Sequence, residues 1–236
     1  MNLITLSDLI KTKLYLGHSF KQSYLKNNKY IYKSINNIWI IDLIKTSKSL
    51  IQSYIFFYNI GFNNTHKILF INSQPQFLKL IEITSKFTSN YYINDKFIPG
   101  LFTNWNMIYI NIMLLKWFDY LFKLFNKNIF NIKFNKIFRT KFIKLYKKLL
   151  FKYKLFKNIT NIPNIIFILD INKDKLAFKE AIHLNKYIIS ILDTNNNDNW
   201  INLIIPGNND NYYSVKLIFQ IILTSLLHGN NLKKHN

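Results

Sequence analysis

Two nearly continuous apolar runs constrain the fold of this chain more than any other feature. They occupy residues 165–169 and 187–192, and each ends directly at an aspartate, Asp170 or Asp193. Short apolar runs without polar alternation are typical of strands buried on both faces of a parallel sheet. In open α/β sheets, ligands bind at the carboxyl ends of such strands and at the turns that follow them. The sequence therefore predicts an α/β protein with acidic residues at one edge of its sheet.

The rest of the chain alternates between shorter apolar runs and helical patterns. Further strands are predicted at residues 38–42, 67–71, 91–93 and 201–205. Helices are predicted at residues 5–14, where Thr5 and Asp8 form a capping box, and at 46–60, 75–89, 174–184 and 213–228. We expect Gly17-His18, Gly61 and Gly229 to end three of them. The connections between the predicted strands at 38–42, 67–71 and 91–93 are long enough for parallel crossovers. The strand at 38–42 is therefore predicted to open a βαβαβ pattern.

Two longer amphipathic segments interrupt this alternation. Apolar residues recur at spacings of three and four from 104 to 125 and again from 136 to 156. A polar stretch at 126–135 separates them, so we expect a helical hairpin inserted into the α/β body. The predicted regions are a body of residues 1–103 and 160–229, a basic hairpin of residues 104–159, and a polar tail of residues 230–236.

The charge balance indicates the kind of partner. The chain carries 32 basic and 11 acidic residues, a formal net charge of +21. No acidic residue occurs from 120 to 169, so the lysines of the second hairpin helix have no acidic neighbours along the helix. This imbalance favours an anionic partner, either a nucleic acid or an anionic membrane surface. Arg139 is the single arginine, and lysine suits phosphate contact better than recognition of base edges.

Basic residues in two segments are the candidate nucleic-acid contacts. Residues 19–35 interleave lysines with aromatic residues, as RNA-contacting segments do, and a solvated loop with a few core aromatics is the equal alternative. The second segment is the hairpin helix predicted at 136–156. The RNA-binding candidates are Lys11, Lys13, Lys21, Lys26, Lys29, Lys33, Lys136, Arg139, Lys141, Lys144, Lys148 and Lys152.

Carboxylates after three strands raise a catalytic alternative. Asp42, Asp170 and Asp193, together with Asp174 and Asp198, could meet at one sheet edge and bind magnesium for phosphoryl transfer. Aspartate after a strand more commonly caps the next turn or helix. The five glycines are too far apart for a phosphate-binding loop, the histidines lack metal-ligand spacing, and cysteine is absent. We therefore predict no enzymatic activity, no metal, no cofactor and no small-molecule substrate.

No membrane partner is expected either. The best candidate for a span, residues 107–122, is interrupted by Lys116 and Asp119 and is too short. Two rival interpretations stay open beside these predictions: a magnesium-dependent phosphotransferase, and a peripheral protein that docks its lysines on anionic lipid.

Short motifs along nearly the whole chain carry a family resemblance. They lie at residues 17–18, 40–46, 68–71, 100–105, 169–170, 179–181, 193–195 and 205–210. In this order they resemble the S-two family of small-subunit ribosomal proteins, in its bacterial and organellar branch. The chain departs from the family at residues 72–74, where Gly-Thr-Lys is usual, and at residues 97–100, where Trp-Leu-Gly-Gly is usual. It also lacks the family's Trp-Asn-Pro after Gly17-His18.

The resemblance implies a fold, a role and a set of structural residues. It implies a flavodoxin-like parallel sheet sandwiched by helices, with the inserted antiparallel hairpin. It also implies binding to small-subunit ribosomal RNA and to neighbouring ribosomal proteins, without catalysis. The motif residues with a structural role are Gly17, His18, Asp42, Thr103, Asn104, Trp105, Asp170, Asp193, Thr194, Asn195, Pro206, Gly207 and Asn208.

Residue usage indicates where the gene resides. Alanine occurs only at 177 and 181 and valine only at 215, whereas Lys, Asn, Ile, Phe and Tyr are abundant. Residues with GC-rich codons are scarce, which is typical of an AT-rich organellar genome. We therefore predict an organellar ribosome, and prefer a relic plastid (an apicoplast) to a mitochondrion.

Overall fold

The chain forms two compact units, one of residues 1–99 with 163–236 and the other of residues 100–162. The computed structural model describes residues 5–22, 29–63, 66–94, 96–126, 136–197 and 199–235. The domain boundaries predicted near 103 and 160 remain a prediction. Among the described residues, no helix is both long enough and apolar enough to cross a bilayer.

Strands and helices alternate along the described residues. The strands are β1 (Leu16–Ser19), β2 (Ile31–Ile35), β3 (Ile38–Ile41), β4 (Ile68–Ile71), β5 (Tyr91–Ile93), β6 (Ile165–Ile168), β7 (Tyr187–Leu192) and β8 (Leu203–Pro206). The helices are α1 (Leu6–Lys11), α2 (Leu43–Asn63), α3 (Leu78–Phe87), α4 (Trp105–Asn126), α5 (Lys136–Tyr153), α6 (Lys175–His183) and α7 (Tyr212–His235).

A five-stranded parallel sheet organises the first unit. Its strands are hydrogen-bonded in the order β5-β4-β6-β7-β8, which is the flavodoxin-like order. The register is uninterrupted: Ile68 pairs with Ile165, and Ile165 pairs in turn with Tyr187. The predicted fold class is therefore confirmed.

Both faces of this sheet are covered, as the apolar runs predict. On one face the Phe70 and Phe167 rings lie 5.9 and 5.3 Å from the ring of Phe219 in α7. Side chains alternate along a strand, so Ile71 and Ile168 point the other way, and both are also fully buried. Around the sheet, α2 packs against α7 and β8, α3 lies beside β5, and α6 packs on β6 and β7.

The first predicted strand belongs to a different sheet. Residues Ile38–Ile41 form β3, the middle strand of an antiparallel sheet ordered β1-β3-β2, so the prediction that this strand opens the parallel sheet is wrong. The turn residues Asn36 and Asn37 have φ values of 49° and 61°. Asparagine tolerates this region and favours a tight hairpin, which pairs β3 with β2 before any crossover can form.

The predicted glycine stops are also wrong at three places. Helix α1 has the predicted capping box but ends at Lys11, and Gly17 lies in β1. Gly61 lies within α2 and Gly229 within α7, which continues through most of the predicted polar tail. A Cβ at Gly61 would stand 2.4 Å from Leu226 O, and one at Gly229 would stand 2.3 Å from Tyr58 O. These glycines permit close helix packing and do not end the helices.

The second unit contains the predicted pair of long helices. Phe118 and Phe122 of α4 lie 4.6 and 5.5 Å from the ring of Phe142 in α5. The Tyr146 hydroxyl donates to Asp119 Oδ1 at 2.8 Å. The later residue of α4, Phe122, contacts the earlier residue of α5, Phe142, whereas Asp119 contacts Tyr146. The two helices are therefore antiparallel. Most of the predicted connecting turn, residues 127–135, lies outside the described residues.

Candidate functional site

Polar residues converge at the carboxyl ends of the parallel strands. Asp170 follows β6, Asp193 follows β7, and Asp210 lies in the turn between β8 and α7. His18 of β1, Gln74 and Lys173 contact these carboxylates. We call this group the strand-end cluster; its members are His18, Gln74, Asp170, Lys173, Asp193 and Asp210.

Asp193 links two loops of the strand-end cluster. Its Oδ1 accepts a hydrogen bond from the backbone N of Thr194 at 2.6 Å, and its Oδ2 accepts one from the backbone N of Asn209 at 3.3 Å. The residue is 1% exposed, and a buried carboxylate is costly unless hydrogen bonds compensate it. Asp193 therefore holds the loop after β7 to the turn after β8.

Gly17 lets β1 approach this edge closely. A Cβ at Gly17 would stand 2.5 Å from Thr194 Cγ2 and 3.0 Å from Trp39 O. The next backbone N–H, that of His18, donates to Thr194 Oγ1 at 2.8 Å. A side chain at position 17 would separate β1 from the Thr194 loop, so packing explains the Gly-His pair.

The His18 imidazole lies between two carboxylates. Its Nδ1 is 3.2 Å from Asp193 Oδ1 and its Nε2 is 3.1 Å from Asp210 Oδ2. The hydrogen bond with Asp193 is the main cause that raises the pKa of His18, and the charge of Asp210 adds to the effect although partial burial opposes it. A protonated imidazole has two N–H donors, so His18 can serve both carboxylates at once.

Lys173 ties the neighbouring part of the strand-end cluster together. Its Nζ lies 3.0 Å from Asp210 Oδ1 and 3.8 Å from Asp170 Oδ2. Gln74 Nε2 donates to Asp170 Oδ2 at 3.4 Å. Burial raises the pKa of Asp170, and it also raises the pKa of Asp174, whose Oδ2 accepts from the backbone N of Ser73 at 3.3 Å.

The geometry contradicts the magnesium hypothesis. Asp42 follows β3 of the antiparallel sheet, and its Oδ1 accepts from Ile44 N at 2.9 Å to cap α2. Asp198 lies outside the described residues. Asp193 is bonded to backbone amides and Asp170 to Gln74 and Asn172. Among the described residues, no three His, Cys, Asp or Glu side chains are placed to share a metal ion.

An open depression of about 500 Å³ lies beside this edge. It is lined by Ser73, Gln74, Pro75, Gln76 and Lys173, next to the point between β4 and β6 where flavodoxin-like sheets place ligands. Its one cationic lining residue, Lys173, is already paired with Asp210 and Asp170. The cationic group of the depression therefore serves to hold the neighbouring turns together.

Exposed lysines cover one side of α5. Lys141, Lys144, Lys147, Lys148 and Lys152 are exposed, and none of them forms an ion pair within the described part of the chain. The opposite side, including Leu149 and Tyr153, is buried. We call these five lysines the α5 basic face. The side chains of two further candidates, Lys136 and Arg139, lie outside the described part.

The N-terminal candidates are distributed over three elements. Lys11 ends α1 and Lys13 follows it, Lys21 lies in a short 3₁₀ helix at Phe20–Gln22, and Lys33 lies in β2. Lys29 Nζ and Lys33 Nζ lie 5.0 and 5.6 Å from the ring centroids of Tyr30 and Tyr32. Lys26 lies outside the described residues. Residues 29–35 of the segment predicted to contact RNA therefore form β2, which is an edge strand, and the two residues before it.

The remaining motif residues shape helix starts and turns. Trp105 is the first residue of α4, and Thr103 and Asn104 immediately precede it, where Asn104 N donates to Gly100 O at 2.8 Å. Asn208 Oδ1 accepts from the backbone N atoms of Asp210 and Asn211 at 2.9 and 3.0 Å, just before α7. Asn195 Nδ2 lies 3.2 Å from His18 Nε2.

Sequence reasoning missed three members of the strand-end cluster. Gln74 carries no signal in the sequence, because only the parallel pairing of β4 with β6 brings it beside Asp170. Lys173 lies only three residues after Asp170, but its pairing with Asp210 depends on the fold. Asp210 is the last residue of the 205–210 motif, and its position after a strand could have marked it as a partner for a histidine.

The fold and the strand-end cluster together define a class: an α/β protein whose strand-end residues hold loops in place. Comparison with known sequences agrees with this class. Residues 9–229 match the family described as Ribosomal protein S2. A small ribosomal subunit protein uS2c of Toxoplasma gondii is 32% identical over 99% of this chain and 100% of its own length.

Two further relatives extend the comparison. The uS2c protein of Cyanophora paradoxa is 30% identical over 99% of this chain and 98% of its own length. The uS2 protein of Borrelia garinii subsp. bavariensis is 30% identical over 98% of this chain and 86% of its own length. The chain belongs to the ribosomal protein S2 family, and it is a structural constituent of the small ribosomal subunit, not an enzyme.

Proposed function

We propose that this chain binds small-subunit ribosomal RNA through the α5 basic face, with the lysines of the N-terminal segment as a second contact. The observation that carries the proposal is the α5 basic face itself. Its five ammonium groups lie on one side of a helix with no acidic residue between 120 and 169 to balance them. Like charges at i,i+4 destabilise a helix in isolation, and a phosphate backbone removes that cost.

We also propose that the ribosome is organellar and plastid-type. The relatives from Toxoplasma gondii and Cyanophora paradoxa carry the plastid-type name uS2c. The residue usage typical of an AT-rich genome supports the same assignment. As the organelle that contains this ribosome, we prefer a relic plastid to a mitochondrion.

Replacing Lys141, Lys144, Lys148 and Lys152 together by glutamine tests the RNA surface. We expect the variant to bind transcribed small-subunit RNA more weakly. The slope of log K against log salt should become shallower by about 0.9 for each duplex phosphate that the variant no longer neutralises. Incorporation into small subunits, followed by co-sedimentation in an organellar extract, should decrease in parallel.

The matched control removes the same charge from the α/β body. Lys79, Lys175, Lys179 and Lys216 are exposed on α3, α6 and α7, and their replacement by glutamine should leave the salt slope nearly unchanged. Equal effects of the two quadruple variants would show that only net charge matters. Unchanged binding by the α5 variant would refute the proposed RNA surface.

A further inference from the structure

Phe151 is the most exposed large apolar side chain in the described part of the chain, at 93% of its maximal area. It lies on α5, and a ring this exposed contributes little to the packing of that helix against α4. Phenylalanine is a weaker helix former than the lysine or leucine that surround it. The fold therefore gains little from a phenylalanine here.

The neighbours of Phe151 on the helix surface are lysines. Residues three and four apart are adjacent on a helix, so Lys147 and Lys148 flank the ring on one side. The exposed Lys154 follows directly after the end of α5, three residues beyond Phe151. Lys144 lies one further turn away. The ring is thus an isolated apolar disc within the α5 basic face.

An exposed aromatic ring surrounded by lysines favours one kind of partner over another. A hydrophobic pocket of a protein would have to bury or pair the surrounding ammonium groups, and burying unpaired charges is costly. A nucleic acid offers both complements at once, because its phosphates neutralise the lysines and an unpaired base presents a flat apolar surface to the ring. A base inside a duplex is stacked already and cannot do this.

We propose that Phe151 stacks on an unpaired base of RNA whose phosphates contact the flanking lysines. The proposal rests on the proposed function of the α5 basic face and adds to it a preference for single-stranded or bulged RNA. Phe151 is then an anchor that selects RNA structure, while the lysines contribute sequence-independent affinity.

The test compares two RNA probes with the full-length chain. In fluorescence anisotropy, Phe151→Leu should weaken binding of a single-stranded adenine oligonucleotide by about tenfold. Binding of an RNA duplex of similar charge should change less than about twofold. The salt slope should stay the same for both probes, since stacking releases no counterions. Phe151→Trp should restore single-strand binding, and its fluorescence should be quenched by the oligonucleotide.

Two controls separate this proposal from the broader one. Phe87→Leu makes the same change at another exposed ring, at the end of α3, and should leave both affinities unchanged. Unchanged single-strand binding by Phe151→Leu, or an equal reduction on both probes, would overturn the stacking proposal while leaving phosphate binding intact. Full RNA affinity in the quadruple α5 variant would instead overturn the proposed function.

Discussion

At the scale of single residues, the strand-end cluster shows how one histidine can hold three pieces of chain together. His18 is positioned by its backbone bond to Thr194, and its ring contacts Asp193 and Asp210. These carboxylates come from the ends of β7 and β8, which are adjacent in the sheet. The His18 imidazole therefore links β1 to the edge of the parallel sheet.

This arrangement predicts a pH-dependent contribution to stability. The folded-state pKa of His18 is raised above its unfolded value of about 6.5. Its stabilising contribution is therefore fully present below the unfolded pKa and is lost as pH rises through the folded pKa. The free energy of unfolding of the wild type, minus that of His18→Gln, should be largest near pH 5.5 and shrink toward about pH 8.5 in urea titrations.

His183→Gln is the matched control, because His183 is exposed at the end of α6. The same urea titrations of this variant show how much of the His18→Gln effect comes from the loss of any imidazole. A difference for His18→Gln that stays constant across the titration would mean that the imidazole is not charged between Asp193 and Asp210.

At the scale of elements, the contact between α2 and α7 depends on two glycines. Gly61 faces Leu226, and Gly229 faces Tyr58 and Phe62. The absence of a Cβ at both positions lets the two backbones meet, and the atoms closest to each glycine are backbone atoms that cannot rotate away. The two helices pack on each other alongside the sheet, so their spacing fixes part of the core.

Gly229→Ala should destabilise the protein although alanine favours helix more than glycine does. The propensity gain is about 1 kcal/mol, and the overlap with Tyr58 O forces the helices apart at a cost of about 1–3 kcal/mol or more. Chemical denaturation should therefore show a lower free energy of unfolding. Gln220→Ala, at an exposed position of the same helix, should change stability by no more than about 0.5 kcal/mol. A stabilised Gly229→Ala variant would mean that α7 does not approach α2 this closely.

At the scale of the whole molecule, the net charge of +21 dominates the solution behaviour. Self-repulsion of this size destabilises a compact state. Screening by salt shortens the range of the repulsion from roughly 30 Å at 0.01 M to about 10 Å at 0.1 M ionic strength. We therefore expect the folded chain to be more stable where its surroundings supply negative charge.

We expect the melting temperature of the free chain to rise with ionic strength in this range, as monitored by circular dichroism. The quadruple α5 glutamine variant should melt higher than the wild type at low salt and converge with it at high salt, because it carries four fewer like charges. A melting temperature that falls as salt is added would show that favourable ion pairs outweigh repulsion.

Local sequence patterns could predict much of this protein. The apolar runs before Asp170 and Asp193 identified buried parallel strands, because a strand covered on both faces needs no polar alternation. The three- and four-residue spacing in residues 104–125 and 136–156 identified α4 and α5 for the same local reason. The Gly-His, Asp-Thr-Asn and Pro-Gly-Asn motifs, in order, indicated the family.

Contacts between distant residues decided the rest. The sequence placed Ile38–Ile41 in the parallel sheet, but the asparagine turn before it pairs it with β2. Gly61 and Gly229 looked like helix stops, since a glycine that lets another helix approach cannot be told locally from one that ends a helix. The partners of His18 lie about 175 and 192 residues away along the chain. Charge and periodicity are properties of the chain itself, whereas neighbours are set only by how the elements pack.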